Sequence, residues 1–392
     1  MKPEDFRNIY AQKQLNRFFV LLIMTTMLKL FITIFVALFA TISALAQTPK
    51  DVKYVYTEAS ELNLIGKILK DTPNPYHRVD TIRYKGFTKR ENQQVRCSAG
   101  LAVLFKTNSS TISVKADYAY MNDHNSTMGV ATRGFDLYIK KDGKWLYAYS
   151  RCNSIDNARK GKELIMLKDM DDSMKECMLY LPIYSELNSV KIGVEEGTVI
   201  ESLESPFRHR IGIFGSSFTH GISTSRPGMS YPSQLMRNTG LQILNLGCSG
   251  NCKMQPYFGE VLCDAEVDAF IFDAFSNPDA QMIEERIVPF IEQVQAAHPG
   301  IPLIFQQTIY IEGRNFSKSR DADWGAKQVA GARVMKEVMK KYDHVYFIQT
   351  NATSPDHETS VDGTHPNDYG YTLWARSIEK PLLKILKKYG IR

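Results

Sequence analysis

Five short apolar runs constrain this chain more than any other feature of its 392 residues. IGIF (211–214), QILNL (242–246), AFIFDAF (269–275), PLIFQQT (302–308) and HVYFIQ (344–349) punctuate the C-terminal half. Each is too short for a helix and lacks a polar face, so each reads as a strand buried on both sides. Helical patterns follow in AQMIEERIVPFIEQVQAAH (280–298), GAKQVAGARVMKEVMKKY (325–342) and YTLWARSIEKPLLKILKKY (371–389). Buried strands alternating with helices predict a parallel α/β sheet with helices on both faces. Ligands of such sheets bind outside the carboxyl ends of the strands. The residues that follow each run are therefore where chemistry is expected.

The N-terminal half has a different grain. TISVKADY (111–118), FDLYIKK (135–141), KWLYAYS (144–150), KECMLYLP (175–182) and SVKIGVEE (189–196) are short, several alternate apolar and polar, and turn residues separate them. That pattern predicts an all-β, antiparallel sandwich or jelly-roll-like domain over residues 47–205, ahead of an α/β domain over 206–392. From Phe18 to Ala46 the chain is apolar and ends Ala44-Leu45-Ala46, a small-x-small cleavage pattern before Gln47. Residues 1–46 read as a signal peptide, and Met27 offers an alternative start that gives it ordinary proportions. An uncleaved anchor is the competing reading. The cleaved reading expects an exported protein, periplasmic or secreted, with no stable membrane insertion.

The chain carries 48 Lys and Arg against 42 Asp and Glu. Loss of residues 1–46 leaves 43 and 40, a net charge of +3. No basic run is interleaved with aromatics, so nucleic acid is not an expected partner. Six cysteines show no C-x-x-C spacing, and there is no H-E-x-x-H, so no metal site is expected. Disulfides and buried free thiols both remain open for an exported chain.

The first C-terminal strand runs into FGSSFTHG (214–221), two serines between glycines. A tight turn and a nucleophile both fit. A serine nucleophile needs a base, and the base needs an orienter. Among eight histidines only His365 has an acidic residue three positions before it, Asp362, in the turn-rich VDGTHPNDYGY (361–371). A helix-capping loop is the plain alternative there. His220, three residues past Ser217, is a minor candidate. Donors for an oxyanion are sought after the other strands: in NLGCSGN (245–251) and at Asn277 in SNP (276–278).

Serine, glycine loop, asparagine and Asp-x-x-His, in this order, resemble the SGNH or GDSL esterase superfamily. Gly215-Ser216-Ser217 stands where that family usually has Gly-Asp-Ser, and Phe275-Ser276-Asn277-Pro278 where it has Gly-x-Asn-Asp. Gly134-Phe135-Asp136-Leu137-Tyr138 fits the G-x-D-L-Y motif of a bacterial subgroup with an N-terminal β domain. The resemblance implies a flavodoxin-like hydrolase domain and no metal or organic cofactor. It implies Ser217 as nucleophile, His365 as base and Asp362 as its orienter. The oxyanion donors become the Ser217 N–H, Gly250 (with Gly247 in reserve) and the Asn277 amide. Phe275 stands where the family often has glycine and is expected to narrow the pocket or shift Asn277. The expected activity is hydrolysis of small acyl esters, acetyl foremost, on a carbohydrate or other small-molecule alcohol. Lipid or aryl ester hydrolysis, and a non-catalytic glycan-binding protein, are the alternatives.

Overall fold

The computed structural model describes residues 3–45, 52–350 and 352–391. The chain divides into two units, Met1–Lys53 and Tyr54–Arg392. The first is helix α1 (Pro3–Leu45). Its stretch Gln12–Phe35 has a mean hydropathy of 2.3 and is long enough to cross a bilayer; a signal sequence near an N-terminus has the same character. The expected junction between Ala46 and Gln47 lies outside the described residues.

The second unit begins with ten strands: β1 (Tyr54–Glu58), β2 (Asn63–Ile65), β3 (Ala102–Thr107), β4 (Ile112–Met121), β5 (Phe135–Lys141), β6 (Lys144–Arg151), β7 (Leu164–Leu167), β8 (Lys175–Tyr180), β9 (Ser185–Glu195) and β10 (Ile200–Ser202). They make two antiparallel sheets, ordered β1-β9-β4-β7 and β10-β3-β8-β5-β6, with β2 also on β3. Period-2 alternation explains how the sheets face each other. Val103, Phe105, Phe135, Leu137, Cys177 and Leu179 point to Ile112, Val114, Val190 and Ile192 of the other sheet, closing one core. The residues between them, Ala102, Leu104, Tyr138, Met178 and Tyr180, face the C-terminal half instead. Apolar residues on both faces bind the sandwich to the rest of the unit. Three short helices, α2 (Lys89–Arg96), α3 (Gly129–Arg133) and α4 (Ile155–Arg159), lie in its connections. A capping box between Thr88 and Glu91 starts α2.

The C-terminal strands are β11 (Arg208–Gly215), β12 (Leu241–Gly247), β13 (Ala269–Asp273), β14 (Leu303–Gln306) and β15 (Val345–Ile348). All pair in parallel, in the order β12-β11-β13-β14-β15. This is the flavodoxin-like order, with its switch point between β11 and β13. Helices α5 (Ser217–His220), α6 (Tyr231–Thr239), α7 (Pro256–Cys263), α8 (Ala280–Ala297), α9 (Lys318–Lys341) and α10 (Asp368–Lys387) complete the half. One face of the sheet packs on α6 and α10 through Leu235, Trp374 and Ile378. The other packs on α7 and α8 through Phe258, Ile287 and Phe290. Helix α9 starts seven residues before the apolar pattern does, because Ser317 caps a polar first two turns.

Candidate active site

Strand β11 ends at Gly215, and the chain turns directly into the single turn of α5. Ser216 caps that turn: its Oγ accepts from Phe218 N at 3.2 Å. Ser217 is the first helical residue and is buried. The turn is held from below by Asp273, at the end of the neighbouring β13. Its carboxylate accepts from Ser216 Oγ (2.6 Å), Ser216 N (3.1 Å) and Thr219 Oγ1 (3.1 Å). Its other oxygen accepts from Ser276 Oγ at 2.7 Å. Burial raises the Asp273 carboxyl, and the four donated hydrogen bonds oppose that rise.

Asp362 and His365 lie in the loop that leads into α10. Asp362 Oδ2 is 2.8 Å from His365 Nδ1, while Oδ1 accepts from His365 N (2.8 Å) and Thr364 N (3.0 Å). Partial burial alone would raise this carboxyl, but the hydrogen bonds and the His365 ring hold it below the usual carboxylate range. The loop is pinned by Val361 N to His365 O (2.9 Å) and by Gly313 N to Gly363 O (2.6 Å). The His365 ring meets the ring of Phe218, the residue after Ser217, with centroids 5.6 Å apart. The serine turn and the Asp–His pair are thus brought to one edge of the sheet. The Ser217 hydroxyl has no hydrogen-bond partner among the described residues; such contacts are often long before substrate binds.

The glycine loop follows β12. Gly247 is packed so tightly that a Cβ there would sit 2.1 Å from His220 N. Its N–H is occupied by Asn245 Oδ1 at 2.7 Å, which removes it as an oxyanion donor. Cys248 to Asn251 form a turn closed by Asn251 N to Cys248 O (3.0 Å), with Gly250 at φ +75°. Gly250 is exposed, and nothing crowds its Cβ position. Asn277 is fixed through its oxygen, which accepts from Cys252 N at 3.1 Å; its NH₂ is left as the free end of the amide. Phe275 does not line the pocket. Its ring is buried among Phe305, Phe347 and Gly331, inside the core. His220 is engaged elsewhere: Nε2 bonds Ile183 O at 3.1 Å, Nδ1 meets Ser249 Oγ at 3.3 Å, and the ring stacks on Tyr184. Burial, with the Arg78 charge, drives its basicity far down, so the ring stays neutral.

Three contributors have no mark in the local sequence. Asp273 is the brace just described. Arg78, from the N-terminal half, is completely buried under the glycine loop and donates to Gly247 O (2.9 Å), Asn245 O (3.2 Å), Cys97 O (2.8 Å) and Gln94 O (2.6 Å). His124 lines a small cavity together with Ser249 of the glycine loop, and the 125–128 segment after it lines a groove with Val361 and Asn367 of the Asp–His loop. The G-x-D-L-Y residues do a different job: buried Asp136 takes Arg226 Nη1 and Gly228 N, both at 2.8 Å, and clasps the 226–229 loop to β5. An open groove of about 460 Å³ runs beside the Asp–His loop, lined by Met128, Val361, Asn367 and Tyr369. A larger cavity of about 640 Å³, lined by Lys67, Asp264 and Glu266, lies by the amino end of β13 and holds none of the candidate residues. All six cysteines are free thiols.

The GDSL-like lipase/acylhydrolase family matches residues 208–383, and the N-terminal domain of SGNH-hydrolase-type esterases, named for G-x-D-L-Y, matches residues 52–200. A GDSL-like lipase from Bacteroides ovatus is 38% identical, with a TM-score of 0.81 over 86% of this chain and 98% of that one. A salicylyl-acyltransferase from a tetracycline biosynthetic pathway shares the fold at 17% identity and TM-score 0.63, over 85% and 98% of the two chains. So does a family two carbohydrate esterase from Cellvibrio japonicus, at 11% identity and TM-score 0.57, over 86% and 98%. Among curated proteins none matches the chain.

Proposed function

The chain belongs to the GDSL-like lipase/acylhydrolase family, and from that premise we propose that it is an exported serine esterase that removes small acyl groups, acetyl foremost, from carbohydrate. The observation that carries the mechanism is the 2.8 Å contact between Asp362 and His365, seated against the residue next to Ser217. Ser217 Oγ attacks the ester carbonyl and gives its proton to His365 Nε2. Asp362, bonded to Nδ1, holds the ring in the tautomer that can accept that proton and stabilises the imidazolium. The carbonyl oxygen becomes an oxyanion held by the N–H groups of Ser217 and Gly250 and by the Asn277 amide. His365 then protonates the departing alcohol. Water repeats the sequence on the acyl-enzyme and releases the acid.

The carbohydrate reading is supported by the groove beside the Asp–His loop, which offers room for a sugar ring, and by the fold shared with a carbohydrate esterase. Export is supported by the apolar Gln12–Phe35 helix. The division at residues 46 and 205, into a segment removed on export, a β-sandwich and the hydrolase half, is part of the same proposal.

A fluorophosphonate probe tests it, because it reports an activated serine whatever the natural ester is. Labelling of the full chain at Ser217, abolished in His365→Ala, is the expected result. Labelling at another serine would overturn the assignment. No labelling, together with glycan binding, would favour a non-catalytic binding protein.

A further inference from the structure

A second cavity, of about 110 Å³, borders the candidate active site and belongs mainly to the N-terminal half. Arg90, Tyr120, Asn122, His124 and Tyr184 line it, and Ser249 of the glycine loop closes one side. Its chemistry is one-sided. His124 Nδ1 accepts from Ser126 N at 3.3 Å, and a backbone N–H can only donate, so the ring proton sits on Nε2. Nε2–H is therefore a donor of fixed orientation, steadied by the Tyr184 ring at 6.1 Å. The guanidinium of Arg90 adds a full positive charge.

No Asp or Glu lines the cavity. Nearby carboxylates are engaged elsewhere: Glu91 with Tyr257, Gln255 and Thr88 N, Glu186 with Arg96, His77 and Gln93, and Asp362 with His365. Among the described residues none forms an ion pair with Arg90. Burial, with the His365 and Arg90 charges, lowers the basicity of His124 against the opposing pull of Asp362, which favours the neutral ring that donates from Nε2.

We propose that this cavity is a specificity subsite, in which Arg90 and His124 Nε2–H receive a carboxylate carried by the alcohol part of the ester. The inference rests on the esterase reading above. Asn125 to Met128, which directly follow His124, line one groove with Val361 and Asn367 of the Asp–His loop, and this places the cavity on the histidine's side of the site. That is the side from which the leaving alcohol takes its proton. The preferred substrates are thus acyl esters of acidic alcohols, uronic-acid-type sugars among them. Arg90 is exposed, so screening limits the gain.

The test compares two aryl acetates of nearly equal shape, 3-acetoxybenzoate and 3-acetoxybenzamide, with the full chain at low salt. The expected result is a kcat/KM ratio of about five- to tenfold in favour of the carboxylate, carried by KM. The ratio falls towards one in Arg90→Gln and with added salt, and part of it survives in Arg90→Lys. In His124→Phe the carboxylate ester also loses KM advantage, while His124→Gln, which keeps a donor, retains some of it. Inhibition gives an independent reading: 3-hydroxybenzoate should compete more strongly than 3-hydroxybenzamide. A wild-type ratio near one, or a ratio indifferent to Arg90→Gln, overturns the subsite while leaving the esterase reading intact. Turnover of neither ester, with no labelling of Ser217, overturns both.

Discussion

The Arg78 guanidinium donates to Gly247 O at 2.9 Å and so ties the N-terminal half to the glycine loop of the hydrolase half. Arg78 is fully buried and serves four backbone carbonyls at once. Burial lowers its basicity, yet a fork of fixed N–H donors is what the carbonyls require. Arg78→Met leaves those acceptors unpaired and is expected to cost about 3 kcal/mol or more in stability. Urea unfolding of the full chain checks this. Arg78→Lys, which keeps the charge but loses the fork, should recover only part of it.

Asp273 is a positioning residue. Replacing it with Asn turns an NH₂ towards at least one of the donors it now accepts from, Ser216 or Ser276. The serine turn and the Asn277 loop then lose their common brace. Asp273→Asn is expected to lower kcat by about 10²-fold with little change in KM, as a small misplacement of reacting groups does. Steady-state kinetics on 4-nitrophenyl acetate read this directly, and an unchanged kcat would refute it.

Two glycines of one loop should respond differently. A Cβ at Gly247 would meet His220 N at 2.1 Å, and backbone has nowhere to move. Gly247→Ala should yield little folded protein. Gly250 has open space but φ +75°, so Gly250→Ala should fold, with a cost of about 1 kcal/mol. Soluble yield and thermal melts separate the two cases.

Asp362 predicts a pH signature. Its folded pKa lies below the ordinary value, with His365 and two backbone N–H groups overcoming the effect of burial. A depressed carboxyl contributes stability that is present above its unfolded value of about 4 and lost as pH falls through the folded one. The Tm difference between wild type and Asp362→Asn should therefore shrink as pH falls below about 5 and close in acid. A difference that widened in acid would have the wrong sign.

The cysteines divide by burial. Cys97, Cys177, Cys248 and Cys252 are buried, and burial pushes Cys97 and Cys177 to about 12. Cys152 and Cys263 are only partly covered. Iodoacetamide at mildly alkaline pH should modify Cys152 and Cys263 in the native chain and the other four only after unfolding. Peptide mass mapping shows which thiols react.

Much of this protein is written locally. A strand buried on both faces must be continuously apolar, so β11 to β15 are visible as runs, and their carboxyl ends mark where a site can form. Asp362 and His365 are three residues apart on one tight loop, so their pairing needs little beyond that loop. The rest depends on contacts between distant segments. Ser216 and Asp273 are 57 positions apart, and Arg78 and Gly247 are 169 apart. His124 lines its cavity with Ser249, which is 125 positions away in the glycine loop. Likewise Gly250 and Gly247 look alike in NLGCSGN until packing separates them. One is crowded by His220, and the other is held open by a turn. Local pattern determined which elements form and in what order. Only the packing of one half on the other decided which buried charge supports which loop, because burial is a property of the whole surface removed from water and not of any single segment.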